Sequence, residues 1–214
     1  AVVMLVLTQT PTPSTMTSKR SFEAGTNISY QGEDVKKGSV LVVKGSPINP
    51  GVVALLATFG YSDVPVFKRP IVGVIATGSE LLEPNESLQP GKIRNSNAYT
   101  LLAQIERAGA VAKYFGKLDD DLQRCITAVQ QALDEVDMLI TTGGVSVGDF
   151  DYLPAIYEAL EAEVLFNKIA MRPGSVTTVA QKDGKLLFGL SGNPSACYVG
   201  FELLTRPIIR AAYT

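Results

Sequence analysis

The chain has 214 residues, a net charge of −2 and 46% hydrophobic residues, a globular composition with room for one full domain and a smaller one. The near-neutral charge argues against a nucleic-acid surface and no apolar run reaches membrane-spanning length, so neither a nucleic acid nor a membrane is expected as a partner. Histidine is absent, which removes Ser-His-Asp and Cys-His catalysis and His-ligated zinc and leaves Mg²⁺, bound through oxygen, as the first metal to consider.

In chain order, "AVVMLVL" lacks the basic flank of a signal peptide and reads as a strand. The biased stretch "TQTPTPSTMTS" reads as a loop. "GEDVKKGSVLVVKG" reads as a turn followed by a strand over residues 40–43. "NPGVVALLATFG" reads as a helix, capped by Asn49, with Pro50 in its first turn and Gly60 at its end. "VPVFKRP" leads out as a strand. The rhythm changes at Arg69-Pro70, which divides a small β-rich segment (1–69) from an α/β domain (70–214).

The second part opens with a β-branched strand over 71–76. Residues 95–108 have helical spacing, with Leu101, Leu102 and Ile105 on one face and Gly109 just past the end. A strand over 111–115 follows. Next comes a helix over 121–133, with aspartates at its start, where the helix dipole favours them. Residues 136–140 form a third strand and 152–160 a third helix, with Pro154 tolerated in its first turn. This order implies a parallel sheet with right-handed crossovers and helices on both faces. "SVTTVAQKDGKLLFGLSG" is a hairpin about Lys182-Asp183-Gly184-Lys185. "NPSACYVGFELLTRPIIR" is a closing helix that kinks or ends near Pro207. Cys125 and Cys197 read as isolated buried thiols, and the cytosol is the compartment expected for them.

Open parallel sheets bind ligands beyond the carboxyl ends of their strands, and the unusual residues gather there. "ATGSELLEP" follows the first strand, "GKLDDD" the second and "TTGGVSVGDFDY" the third. Glycines let backbone N–H groups approach an anion at a helix start. Yet Glu80, Asp120, Asp149 and Asp151 lie in the same loops. A carboxylate about 5 Å from a phosphate repels it by about 3 kcal/mol at an effective dielectric of about 20. A magnesium ion between them resolves the conflict, so a phosphorylated ligand with a divalent metal is expected. In "FNKIAMRPGSV", Lys168 and Arg172 stand four apart. In an extended strand they share one face and form a second anion site. "LSGNPSA" repeats the strand–glycine–helix theme, with Gly192 and Ser195 as donors. The plain reading of each feature is a turn, a cap or a solvated charge; their concentration at one sheet edge favours function.

With these motifs placed, the sequence resembles the molybdopterin molybdenumtransferase family, the MoeA-like proteins related to the C-terminal region of gephyrin. "PIVGVIATGSELLEP", "GKIRNSNAYTLLAQIERAGA", "TTGGVSVGDFDY", "KIAMRPG" and "LSGNPSA" match its motifs in order and spacing. The resemblance implies a three-layer, parallel-sheet, MogA-like molybdopterin-binding domain behind a partial N-terminal domain, in a piece of a longer family chain that lacks both ends. It implies insertion of molybdate into adenylated molybdopterin with release of AMP, assisted by Mg²⁺. By motif, Glu80, Asp120 and Asp151 are the catalytic and Mg²⁺-binding carboxylates. Thr77, Gly78, Ser79, Asn97, Gly143, Gly144, Ser146, Gly148, Lys168, Arg172, Gly192 and Asn193 bind the pterin, its phosphate or molybdate. The implied partners are the pterin substrate, a second copy in a homodimer and other enzymes of molybdenum cofactor synthesis in the cytoplasm.

Two features depart from the family pattern. Its "RPGKP" is "RPGSV" here, so Ser175 and Val176 remove a cation and a proline. A binding module without turnover is the alternative reading. A molybdopterin adenylyltransferase is a further one, against which "GDFDY" and the leading β-rich segment count.

Overall fold

The structure, a computed structural model, describes residues 1–119, 121–143 and 152–212. The chain divides into two compact units, Ala1–Val64 and Pro65–Thr214.

In the first unit, the strand expected at the start is a single 3-10 turn, Leu5–Leu7. Leu7 N–H donates to the Met4 carbonyl, and the Thr8 hydroxyl to the Leu5 carbonyl, both at 2.9 Å. The expected loop after it is an antiparallel hairpin of β1 (Thr8–Thr12) and β2 (Thr15–Ser18). The physical reason lies in its threonines: they are β-branched and favour extended backbone, while Pro13 and Ser14 make the tight turn. Residues 40–43 form no strand of the described sheets, and neither does "VPVFKRP". Turns bound the former, with Ser39 N–H on Lys36 and Ser46 N–H on Val43. A short apolar run with no neighbour to complete its ladder stays irregular. The helix α1 (Pro50–Thr58) forms as expected: the Asn49 side chain accepts from Val52 N–H at 3.0 Å.

The second unit runs β3 (Ile71–Thr77), β4 (Leu81–Leu82), β5 (Ile93–Arg94), α2 (Ser96–Ala108), β6 (Val111–Leu118), α3 (Leu122–Glu135), β7 (Met138–Thr142), α4 (Leu153–Ala159), β8 (Glu163–Asn167), β9 (Thr178–Lys182), β10 (Lys185–Leu190), α5 (Pro194–Gly200) and α6 (Arg206–Ala211). Its six-stranded sheet has the order β6-β3-β7-β10-β9-β8. The first four of these strands are parallel, and β9 and β8 extend the sheet in antiparallel pairings.

Side-chain alternation splits the core into two slabs, as a strand period of two requires. Val72, Val74, Ile140, Phe188 and Leu190 pack with α2, α5 and Phe201 on one face. Ile75, Leu139, Leu187 and Ala180 pack with α3 and α4 on the other. The three-layer α/β expectation is met. Cys125 and Cys197 are buried thiols, neither of them in a disulfide, as expected.

Caps set the helix boundaries. The Asn95 side chain accepts from Ala98 N–H, Asp121 from Arg124 N–H, and Gly109 closes α2 at φ 104°. The closing helix neither ends nor breaks at Pro207. A π-helical segment, Phe201–Thr205, precedes α6. Proline lacks the N–H and crowds the preceding turn, and the wider turn absorbs it.

The register sets up the site. Thr77 pairs with Leu118, Ala76 with Thr142, and Thr142 with Leu190. Four parallel strands therefore end level, and their following loops leave from one rim.

Candidate functional site

At this rim the loops after β3, β7 and β10 touch. Gly143 has φ 86°, a left-handed conformation that glycine adopts without cost. A Cβ there would collide with the Thr77 carbonyl oxygen, and one on Gly192 would lie 3.6 Å from the Gly143 Cα. Gly143 N–H donates to the Leu190 carbonyl at 3.3 Å, and the Thr77 hydroxyl to the Thr142 carbonyl at 3.4 Å. Gly78 N–H donates to Leu118 at 3.1 Å, which ties the loop to β6 as well. The Glu80 carboxylate folds back over Gly78: an oxygen stands 2.5 Å from where a Cβ of Gly78 would be. Its neighbour Ser79 offers its carbonyl to Lys92 Nζ at 2.6 Å.

Asn97, from the first turn of α2, is a brace. Its Nδ2 donates to the Thr142 hydroxyl at 3.0 Å and to the Gly192 carbonyl at 2.9 Å. Asn193 caps α5, its side chain accepting from Ala196 N–H at 3.1 Å. Both asparagine side chains are thus engaged with the protein. Two net hydrogen bonds of about 1 kcal/mol each are at stake in Asn97. Asn97→Ala is expected to lower unfolding free energy by about 2 kcal/mol in a urea titration; an unchanged midpoint would remove the brace.

The Lys168–Arg172 segment corrects the strand argument. β8 stops at Asn167, and Lys168 has φ 68°, so extended-strand alternation does not govern the two side chains. Lys168 N–H bonds Thr177 and Ile169 N–H bonds Ser175, which closes a loop. Its turn reaches the start of α5, where a Cβ on Gly174 would lie 3.5 Å from the Ala196 carbonyl oxygen. Both cations are exposed. Beneath the rim, Cys197 contacts Thr142 at 3.6 Å, and burial pushes its thiol up to about 11. It stays protonated at neutral pH and serves as core.

The expectations for Asp120, Gly144, Ser146, Gly148, Asp149 and Asp151 lie outside the described residues. Among the described residues no three Asp, Glu, Cys or His side chains gather as a metal site; Glu80 shares the loops of the rim with Asp119 and with Asp121, the cap of α3. No helix among them is long and apolar enough to cross a membrane.

Sequence reasoning missed a polar network beside the rim, built on Glu83, Tyr99 and Tyr114. The Glu83 carboxylate accepts from Tyr114 at 2.6 Å and from Tyr99 at 2.7 Å. Burial first, and then that carboxylate, raises the Tyr114 phenol above its ordinary range. The one sequence signal was the density of charge in "ELLEPNESLQPGKIR", which reads as loop.

The chain matches the family described as "Probable molybdopterin binding domain" over residues 73–211, and the "MoeA N-terminal region (domain I and II)" over residues 1–60. It is 62% identical over 213 residues to the molybdopterin molybdenumtransferase of Bacillus subtilis (strain 168), covering 98% of this chain and 50% of that protein. It is 57% identical over 196 residues to the same-named protein of Staphylococcus aureus (strain Mu50 / ATCC 700699), covering 92% and 47%. Among solved structures, the molybdopterin biosynthesis moea protein from Pyrococcus horikosii superposes with a TM-score of 0.78 at 34% identity, covering 85% of this chain and 45% of that one. The chain spans about half the length of the curated relatives it matches.

Proposed function

The chain belongs to the molybdopterin-binding domain family, in its MoeA-like, molybdenumtransferase branch, and from that premise we propose that its rim takes part in inserting molybdate into adenylated molybdopterin with release of AMP. The observation that carries this reading is the contact of three loops at one sheet edge. Gly143 lies against Thr77 and Gly192, and the Glu80 carboxylate lies over Gly78. Such a rim offers a carboxylate to a cation, and its glycines allow the close backbone approach that a phosphate needs.

In this reading, Thr77, Gly78, Ser79, Gly143 and Gly192, with Gly144, Ser146 and Gly148, line the phosphate and pterin site. Asn97 and Asn193 hold its walls. Lys168 and Arg172 attract molybdate or the pterin phosphate, with one cation fewer than the family motif because Ser175 and Val176 follow Gly174. Glu80, Asp120 and Asp151 hold Mg²⁺. The donor chemistry fits: these are hard oxygen ligands, histidine is absent and both thiols are buried. Magnesium supplies charge neutralisation between carboxylates and phosphate. The protein is read as a cytoplasmic homodimer that exchanges pterins with the other enzymes of the pathway.

The test is to mix the protein with adenylated molybdopterin, Mg²⁺ and molybdate. AMP release that requires molybdate is expected. Tight pterin binding with no AMP would make the chain a binding module instead, and consumption of ATP would make it an adenylyltransferase.

A further inference from the structure

Between β3 and α2 the chain makes an excursion, residues 78–95, that begins with the Glu80 loop. Its strands β4 and β5 are two residues each, and its apolar hold is Leu82, buried, with Leu81 packed against the core on the α2 side. Polar anchors hold the rest. Ile93 N–H bonds the Glu80 carbonyl at 2.9 Å and Asn95 N–H bonds Leu82 at 2.8 Å. One Arg94 nitrogen donates to the carbonyls of Glu83, Pro84 and Glu86 at 3.3, 2.6 and 2.8 Å.

Glu83 fastens this body to the rest of the unit. One carboxylate oxygen takes the Tyr114 hydroxyl of β6 and the other the Tyr99 hydroxyl of α2. Asn95 Nδ2 donates to the same Tyr114 oxygen at 2.8 Å. Three residues along β6, Lys117 donates to the Leu81 carbonyl at 2.9 Å and to Glu86 at 3.0 Å. In a regular strand, positions 114 and 117 face opposite sides. Here the β3–β6 register slips by one residue between Tyr114 and Lys117, with Gly116 at φ 92°. This bulge turns both side chains to the excursion, the re-aiming that bulges perform near functional sites.

We propose that Glu83 is a positioning residue: by gripping Tyr114 and Tyr99 it locks the 78–95 excursion and so sets Glu80 against the glycine rim. The inference rests on the reading of Glu80 as a functional carboxylate. Only Leu81 and Leu82, one short strand, separate the two glutamates.

Two measurements on the intact chain test it. In Glu83→Gln, the neutral amide replaces the charged acceptor at the same size. Amide exchange at Leu81, Ile93 and Asn95 is expected to quicken about tenfold, a local opening, with Leu139 and Leu187 unaffected. Unchanged exchange there would overturn the inference whatever the site does. Tyr99→Phe, on a half-exposed side chain, removes one of the two grips and is expected to give a smaller quickening at the same three amides. In the second measurement, calorimetry with AMP and Mg²⁺ compares Glu83→Gln in two backgrounds. The affinity is expected to fall about 10- to 100-fold when Glu80 is present, the usual cost of losing a support behind a ligand, and less than about twofold on top of Glu80→Gln. Equal falls in both backgrounds would show that Glu83 does not act through Glu80. Absence of AMP binding by the unmodified chain would count against the functional reading, and the exchange result would still decide whether Glu83 holds the segment.

Discussion

Gly143→Ala is expected to be the most destabilising single-methyl change at the rim. Two costs add. Alanine in the left-handed region costs about 1–3 kcal/mol, and Gly143 has φ 86°. The new Cβ would also collide with the Thr77 carbonyl oxygen, which cannot swing away because it ends a strand paired on both sides. Forcing backbone apart in this way costs about 1–3 kcal/mol more. A total near 4 kcal/mol corresponds to a midpoint lowered by roughly 8–16 °C for a unit of this size. Gly184→Ala is the control. Gly184 has φ 78° and nothing within 4 Å of its Cβ position, so about 1 kcal/mol of backbone cost remains. If the two variants melted together, the close approach of the β7 loop to β3 would not be a constraint, and the cradle would lose its physical basis.

The comparison also separates what local sequence encodes from what it does not. Gly184 was legible: a two-residue Asp-Gly turn between alternating runs fixes a hairpin by itself, and β9 and β10 pair with Lys182 opposite Lys185. The helices were legible for the same reason. Asn95, Asp121 and Gly109 act within one turn of where they stand. The rim was legible in outline, because level strand ends follow from parallel topology. Its braces were not. Asn97 meets Gly192 across 95 positions, and Glu83 meets Tyr114 across 31. Neither distance leaves a period in the sequence. The bulge at Gly116 and the left-handed Lys168 break the alternation on which side-chain directions were reasoned. The strand expected over 40–43 failed for the complementary reason: local propensity was present, but a ladder needs a neighbour.

Glu80→Gln is the variant with the largest expected effect on turnover. It keeps the side chain's length, and therefore its place over Gly78, while removing the negative charge. Glu80 is exposed, so stability is expected to hold within about 0.5 kcal/mol. Molybdate-dependent AMP release is expected to fall roughly 10²- to 10³-fold, the scale seen when one preorganised electrostatic group is lost, and to need more Mg²⁺. Glu86→Gln is the matched control, six residues away. Its carboxyl is held below the usual range by the Glu83 backbone N–H and then by Lys117. Those partners help hold the excursion that carries Glu80, so its loss is expected to act only through that hold and to lower the rate by about tenfold or less. Equal losses in the two variants would mean that general negative charge, not a cation held at Glu80, governs the reaction. Wild-type rates in Glu80→Gln would remove this carboxylate from the site. The repulsion of about 3 kcal/mol between a carboxylate and a phosphate about 5 Å apart would then be relieved without Glu80 as a ligand, and the oxygen donors of the cation would have to be sought elsewhere on the rim.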